Sequence, residues 1–319
     1  MKDSDEQKVE QITITALLTT YRRPQSLVRC LEALKKQSRI PDEVLVVVRD
    51  ADVGTWTSLE RIERRPLILR MVTVWVPGSV AALNAGLEAA KGDIIAITDD
   101  DAAPRPDWLA RIEAHLQNDP RLGGVGGRDW VHHGQRVEDG ARKVVGKVQW
   151  FGRVIGNHHL GVGGPREVDV LKGANCAYRR AALLRVGFDK RMLGTGTQLN
   201  WELSLGLQLR RMGYKLIYDP AVTVDHYRGP RFGEGQRDRF EAEALTNETY
   251  NEALSLLEYL TPMRRLVFMI WSVFVGTRAY PGLVQWLRFS PREGRLAGKK
   301  LQAALTGRIQ AFNAWRCSS

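Results

Sequence analysis

The sequence predicts an α/β fold, a mixed and mainly parallel sheet flanked by helices, with a basic and apolar helical appendage at its C-terminal end. Three observations carry this. Apolar, β-branched runs recur at residues 12–19, 43–48, 71–76 and 94–98; helical spacing occupies the intervals between them; and past Arg239 the strand signature gives way to helical periodicity.

Residues 12–19 (ITITALLT) form the first of these runs, and a Tyr-Arg-Arg-Pro turn leads into helical spacing at Leu27, Cys30, Leu31 and Leu34. EVLVVV and MVTVWV repeat the buried-strand pattern. SVAALNAGLEAAKG then supplies a helix before a fourth strand, IIAIT. Continuous apolar strands alternating with helices belong to a sheet covered on both faces. An amphipathic helix follows at residues 105–118, through Trp108, Leu109, Ile112 and Leu116. Residues 123–164 read as a loop-rich stretch. Order returns at residues 172–184, and a strong helix covers 201–212, stopped by Gly213. Residues 214–218 and 221–224 read as strand pieces ending at Asp225-His226-Tyr227. The expected organisation is a disordered tail over 1–11, an α/β domain over 12–239 and a helical region over 240–319.

The formal charge of +11 is concentrated at one end: residues 259–319 hold 10 Lys/Arg and one acid, Glu293, and the rest of the chain is close to neutral. A basic segment fits nucleic acid or an anionic membrane surface. The apolar run LVFMIWSVFVGT favours the membrane, and no nucleic-acid module is evident. At 12 residues that run is shorter than the ~20 needed to span a bilayer. Trp271, Trp286 and Trp315 interleaved with basic residues fit helices lying in the headgroup layer, so residues 259–319 are expected to bind an anionic membrane surface peripherally. MKDSDEQKVEQ lacks the basic and apolar regions of a signal peptide, which predicts the cytoplasmic face of the inner or plasma membrane. Cys30, Cys176 and Cys317 show no metal spacing and are expected to be reduced.

Asp99-Asp100-Asp101 directly follows IIAIT and so emerges at the carboxyl edge of a buried strand, where open α/β sheets bind ligands. Three adjacent carboxylates repel one another unless a cation neutralises them. Hard oxygen ligands suit Mg²⁺ or Mn²⁺, which complete their coordination with water and phosphate oxygens, so a diphosphate-bearing substrate is implied. LLTTYRRPQ holds none of the glycines a dinucleotide-binding turn requires, and no GxxxxGK[ST] is present, which excludes a dehydrogenase and a P-loop enzyme.

Four segments in order, LLTTYRRPQSLVRCLEAL, LNAGLEAAKGDIIAITDDDAAPRPDWL, KGANCAYRRAALLRVGFD and NWELSLGLQLRRMGYKLIYDPAVTVDHY, make residues 12–231 resemble the family 2 glycosyltransferases of the GT-A fold. The resemblance implies inverting sugar transfer from a nucleotide-sugar donor, a UDP-sugar first and GDP- or dTDP-sugars behind it, to a glycan or lipid-linked acceptor. It implies a catalytic role for the domain over 12–239. It places Thr19, Tyr21, Arg23 and Asp50 around the base and ribose, Asn84 in the helix before the metal strand, and Gly173 and Asn175 beside the donor sugar. Asp101 becomes the principal metal ligand, Asp99 assists at the metal or ribose, and His226 supplies a third ligand. Leu83 stands where many relatives have Arg, and Trp201-Glu202 where many read Glu-Asp. A carboxylate at a helix start suits the base that takes the acceptor proton, and Glu202 is the candidate. Arg228, Arg231, Gln236 and Arg239 form a basic loop suited to closing over the diphosphate. The alternatives are a non-catalytic nucleotide-sugar or glycan-binding protein and a sugar nucleotidyltransferase, whose Gly-rich phosphate loop TTYRRP lacks.

Overall fold

The computed structural model describes residues 12–236 and 239–318. The tail expected over 1–11 lies outside the described residues. In chain order, β1 (Ile14–Thr20), α1 (Pro24–Lys35), β2 (Glu43–Arg49), α2 (Val53–Arg61), β3 (Leu69–Val74), α3 (Ser79–Ala89) and β4 (Ile94–Asp99) make a Rossmann-like half. Then follow β5 (Ala102–Pro104), α4 (Trp108–Asn118), β6 (Leu122–His133), β7 (Arg136–Val137), β8 (Lys147–Val148), β9 (Val154–Ile155), β10 (Arg166–Val168), β11 (Cys176–Arg179), α5 (Arg180–Val186), α6 (Trp201–Arg211) and β12 (Lys215–His226). Four helices end the chain: α7 (Ala242–Tyr259), α8 (Pro262–Phe274), α9 (Leu283–Glu293) and α10 (Arg295–Ser318).

The main sheet runs β10-β12-β6-β11-β4-β1-β2-β3. β1 is parallel to β2 and β4, and β11 enters antiparallel between β4 and β6. Because side chains alternate along a strand, each apolar run feeds two cores. Leu17, Leu45, Val47, Ile95 and Ile97 pack on one face with α3 and α6, and Ala16, Leu18, Val44, Val46 and Ala96 pack on the other with α1 and α4. Burial of both faces is why these strands read as unbroken apolar runs.

The loop expected from residue 123 begins instead with a central 12-residue strand, β6. Its glycines hide the alternation because side chains do not fit there. A Cβ on Gly124 would lie 2.5 Å from the Tyr178 ring, and one on Gly127 would lie 1.8 Å from the Val222 carbonyl oxygen. The rest of the stretch is irregular, with only short strands and a 3-10 turn at His158–Leu160. The two strand pieces expected near residues 214–226 are one strand, β12, bulged against β6 between Asp219 and Thr223.

The terminal helices dock on the sheet domain. Leu203 of α6 shares a core with Tyr250, Leu254 and Leu257 of α7, Phe268 of α8 and Ala311 of α10. The chain breaks between α8 and α9 at Gly276, whose φ of +66° no β-branched residue would tolerate. Among the described residues no helix is long and apolar enough to cross a membrane.

Candidate functional site

The acidic triplet ends β4, where parallel pairing sets Thr19 of β1 beside Asp99. Alternation then sends the middle carboxylate away from its neighbours. Asp100 is fully buried, accepts from the Thr20 hydroxyl at 2.6 Å and pairs with Arg23 at 2.6 Å. Burial pushes its pKa up to about 7 against the pull of Arg23. Asp100 therefore anchors the turn, and Asp99 and Asp101 face the cleft.

His226 is brought to them by β5, which turns back from the triplet and pairs antiparallel with β12, setting His226 opposite Ala102. The Tyr227 N–H donates to the Asp101 carbonyl at 2.8 Å, closing the same turn. His226 Nε2 lies 3.2 Å from Asp101 Oδ1. Burial alone would lower the imidazole pKa, but Asp101 and Asp129 outweigh it and raise it to about 9. Burial likewise opposes ionisation of Asp101, yet His226 and Arg23 hold its carboxyl well below the usual range. Asp99 shifts upward through burial and then the charge of Asp101.

This trio suits a divalent cation. Asp99, Asp101 and His226 each offer a ligand atom within 4.8 Å of the others. Among the described residues, buried Asp101 Oδ1 and His226 Nε2 have no polar partner beyond each other, and two carboxylate oxygens with one imidazole nitrogen are an acceptable donor set for Mn²⁺.

Two residues of this centre, Asp129 and Lys172, escaped the sequence reading. Asp129 of β6 is fully buried, its Oδ2 lying 3.3 Å from His226 Nδ1 and in an ion pair with Lys172. It orients the imidazole from behind, the usual arrangement for a histidine that ligates a metal. The available signal was a lone Arg-Asp in a glycine-rich stretch, legible only once that stretch is known to be a strand.

Glu202 stands in the first turn of α6, after Asn200 in the left-handed conformation (φ 75°). The Gly173 N–H donates to Glu202 Oε1 at 3.2 Å. A Cβ on Gly173 would come within 2.6 Å of the Trp201 ring and 3.0 Å of that carboxylate, so glycine is required there. Burial, the leading cause, and the charge of Asp99 raise Glu202 to about 7. Asn200 is itself held, its amide donating to the Glu248 carbonyl at 3.1 Å and to the Tyr280 hydroxyl at 3.0 Å.

Asp99, Asp101, His226, Gly173 and Glu202 line one cleft of about 720 Å³, together with Arg228, Arg231, Gln236 and Arg239 of the basic loop. An adjoining recess of about 420 Å³ shares Thr19 and Arg23 with it and adds Tyr21, whose ring meets Phe232 edge-on at 6.4 Å. Arg23 turns its guanidinium to Asp100 and Asp101, serving as counter-charge to the triplet.

Three expected residues sit elsewhere. Asp50 is exposed and pairs with the adjacent Arg49 at 3.3 Å; the buried acid of that turn is Asp52, which caps α2. Asn84 bonds the Phe188 N–H and carbonyl, tying α3 to the end of α5. Asn175 is fully buried, accepting from the Trp108 indole N–H at 2.8 Å and donating to the carbonyls of Arg128 and Val222. Both amides are consumed in packing.

A mixed sheet carrying an Asp-x-Asp edge, with a facing histidine and a half-buried acid in one cleft, is an arrangement of the GT-A fold. Residues 15–187, more than half of the chain, match the profile of glycosyl transferase family 2, and the chain belongs to that family. It is 33% identical over 149 residues to the glucosyl-dolichyl phosphate glucuronosyltransferase of Haloferax volcanii, covering 44% of this chain and 45% of that relative's length. Residues 1–349 of S. aureus TarS, solved with UDP-GlcNAc, superpose with a TM-score of 0.64 at 16% identity, over 94% of this chain and 81% of that one. The mannosyltransferase PcManGT of Pyrobaculum calidifontis, solved with GDP-Man and Mn²⁺, gives 0.54 at 18% identity, over 95% and 88%. At these identities the solved structures speak to the fold alone.

Proposed function

We propose that this chain transfers a sugar from a nucleoside diphosphate sugar, a UDP-sugar first and GDP- or dTDP-sugars behind it, to a hydroxyl of a glycan or lipid-linked acceptor, inverting the anomeric carbon. The observation that carries it is the convergence, in one cleft, of the Asp99, Asp101 and His226 donor set with Glu202. Asp99, Asp101 and His226 would hold Mn²⁺ or Mg²⁺, which neutralises the diphosphate as it leaves. Thr19, Tyr21 and Arg23 border the nucleoside recess, and Arg228, Arg231 and Arg239 face the phosphates. Glu202 takes the proton of the acceptor hydroxyl while that oxygen bonds to the anomeric carbon. The bond to the diphosphate oxygen breaks with its electron pair. A base near pKa 7 is suited to this task, because it holds the proton it receives and is still substantially ionised at neutral pH.

The proposed catalytic unit is 12–239, with 240–319 completing its cleft and facing a membrane. Met263, Leu266, Ile270 and Phe274 make an exposed apolar stripe along α8, at 64, 50, 52 and 55% exposure, in a segment with a local charge of +9. An anionic cytoplasmic leaflet is the complementary surface. The test of function is release of nucleoside diphosphate from a panel of nucleotide sugars with and without Mn²⁺. Metal-dependent release from one donor class supports the proposal, and binding without release from any donor would assign a non-catalytic role.

A further inference from the structure

The wall of the cleft beyond Glu202 is built by the C-terminal helices. Arg278, from the turn between α8 and α9, and Lys300 of α10 line the same cavity as Asp99, Asp101 and Glu202. In the sequence these charges belong to a basic tail; in the fold they border the reaction cleft.

The turn that carries Arg278 is fastened on both sides. Arg308 of α10 donates to the carbonyl oxygens of Pro281 at 2.9 Å and Tyr280 at 2.8 Å. The Tyr280 hydroxyl accepts from Asn200, two residues before Glu202. Arg278 thus has a fixed relation to the start of α6. Its guanidinium lies 5.5 Å from the Phe289 ring and has no carboxylate partner among the described residues. Lys300 is held by Glu293 at 2.7 Å. Two acids line the same region; one is hydrogen-bonded and burial disfavours ionisation of the other. Glu241 accepts from the Gly235 N–H at 3.1 Å, and burial raises the carboxyl pKa of Glu248 beside Arg231. Among the described residues no ion pair compensates the positive charge of Arg278, which lies on a wall distinct from the loop that carries Arg228 and Arg231.

We propose that Arg278, assisted by Lys300, binds an anionic group of the acceptor, a phosphate or a carboxylate carried close to the hydroxyl that is glycosylated. This rests on Glu202 marking the acceptor side of the cleft. An arginine fork matches either oxyanion in bidentate fashion, which orients the acceptor as well as attracting it.

The test is binding of three acceptor analogues, octyl glucoside, octyl glucuronide and octyl glucosyl phosphate, to the full chain saturated with UDP or GDP and Mn²⁺. One or both anionic analogues should bind at least about tenfold tighter than the neutral one, the scale of a charged hydrogen bond. The glucuronide and phosphate arms separate an acidic sugar from a phosphate-linked acceptor. Arg278→Gln should abolish that preference with nucleotide affinity unchanged, and Arg278→Lys should retain part of it. Equal binding of all three analogues by the wild type would overturn the proposal, as would loss of nucleotide affinity in Arg278→Gln. Because binding needs no proton transfer, these outcomes are separate from failure of the Glu202 assignment, which only turnover reports.

Discussion

Replacing Asn175 with alanine separates a packing role from a donor-binding one. The side chain is fully buried and makes three hydrogen bonds, to the Trp108 indole at 2.8 Å and to the carbonyls of Val222 at 2.9 Å and Arg128 at 3.2 Å. Truncation strands the buried indole N–H and strips a donor from each carbonyl. At roughly 1–3 kcal/mol for an unsatisfied buried group, with part of the loss relieved by relaxation, the expected cost is about 2–4 kcal/mol. For a chain of this size that lowers the melting temperature by about 4–8 °C. Thermal unfolding measures the first quantity, and calorimetric titration of nucleotide with Mn²⁺ at 25 °C measures the second. The melting temperature should fall while nucleotide affinity stays within about twofold. An unchanged melting temperature with a tenfold weaker nucleotide would refute the reasoning and return Asn175 to the donor site.

Four further outcomes follow from the same geometry. His226→Ala should weaken Mn²⁺ binding at least about tenfold, read by titration of the free-Mn²⁺ resonance signal, because it removes one of three ligands. Glu202 is raised by burial to about 7, so the fold favours its protonated form; the stability this contributes is complete below about pH 4.5 and is lost as pH rises through 7. Glu202→Gln should accordingly be more stable than wild type at pH 8, by on the order of 1–2 kcal/mol given partial exposure to the cleft, and no more stable at pH 4, as denaturant titrations at the two pH values would report. Wild-type turnover should rise with pH on the acid side of neutrality, as the base ionises. Removal of the terminal helices would expose the core they share with α6, so the membrane role is better tested by Leu266→Ser with Ile270→Ser on the exposed stripe, which should lower binding to anionic vesicles severalfold without shifting the melting temperature.

How much of this was legible in the sequence depended on whether a residue's partners lie close along the chain. β1, β2 and β4 are buried on both faces and read directly as apolar runs, and the triplet at the end of β4 is marked by its position as a candidate ligand site. β6 was opaque because its glycines carry no side chains to alternate, and Asp129 was hidden with it. Asn84 and Asn175 look like ligand amides until their partners at 188, 108, 128 and 222 are known, since nothing local distinguishes a packing amide from a binding one. Arg278 and Lys300 read as tail charges because only the docking of α8 to α10 turns them to the cleft.

The central claim is that Glu202 is the base for transfer in a cleft that binds nucleotide through Asp99, Asp101 and His226. Turnover of a nucleotide sugar with Mn²⁺, measured alongside nucleotide affinity in Glu202→Gln, tests it most directly. The account predicts a loss of turnover of at least about a hundredfold with nucleotide affinity within about twofold of wild type. Turnover retained at the wild-type level in that variant would contradict it.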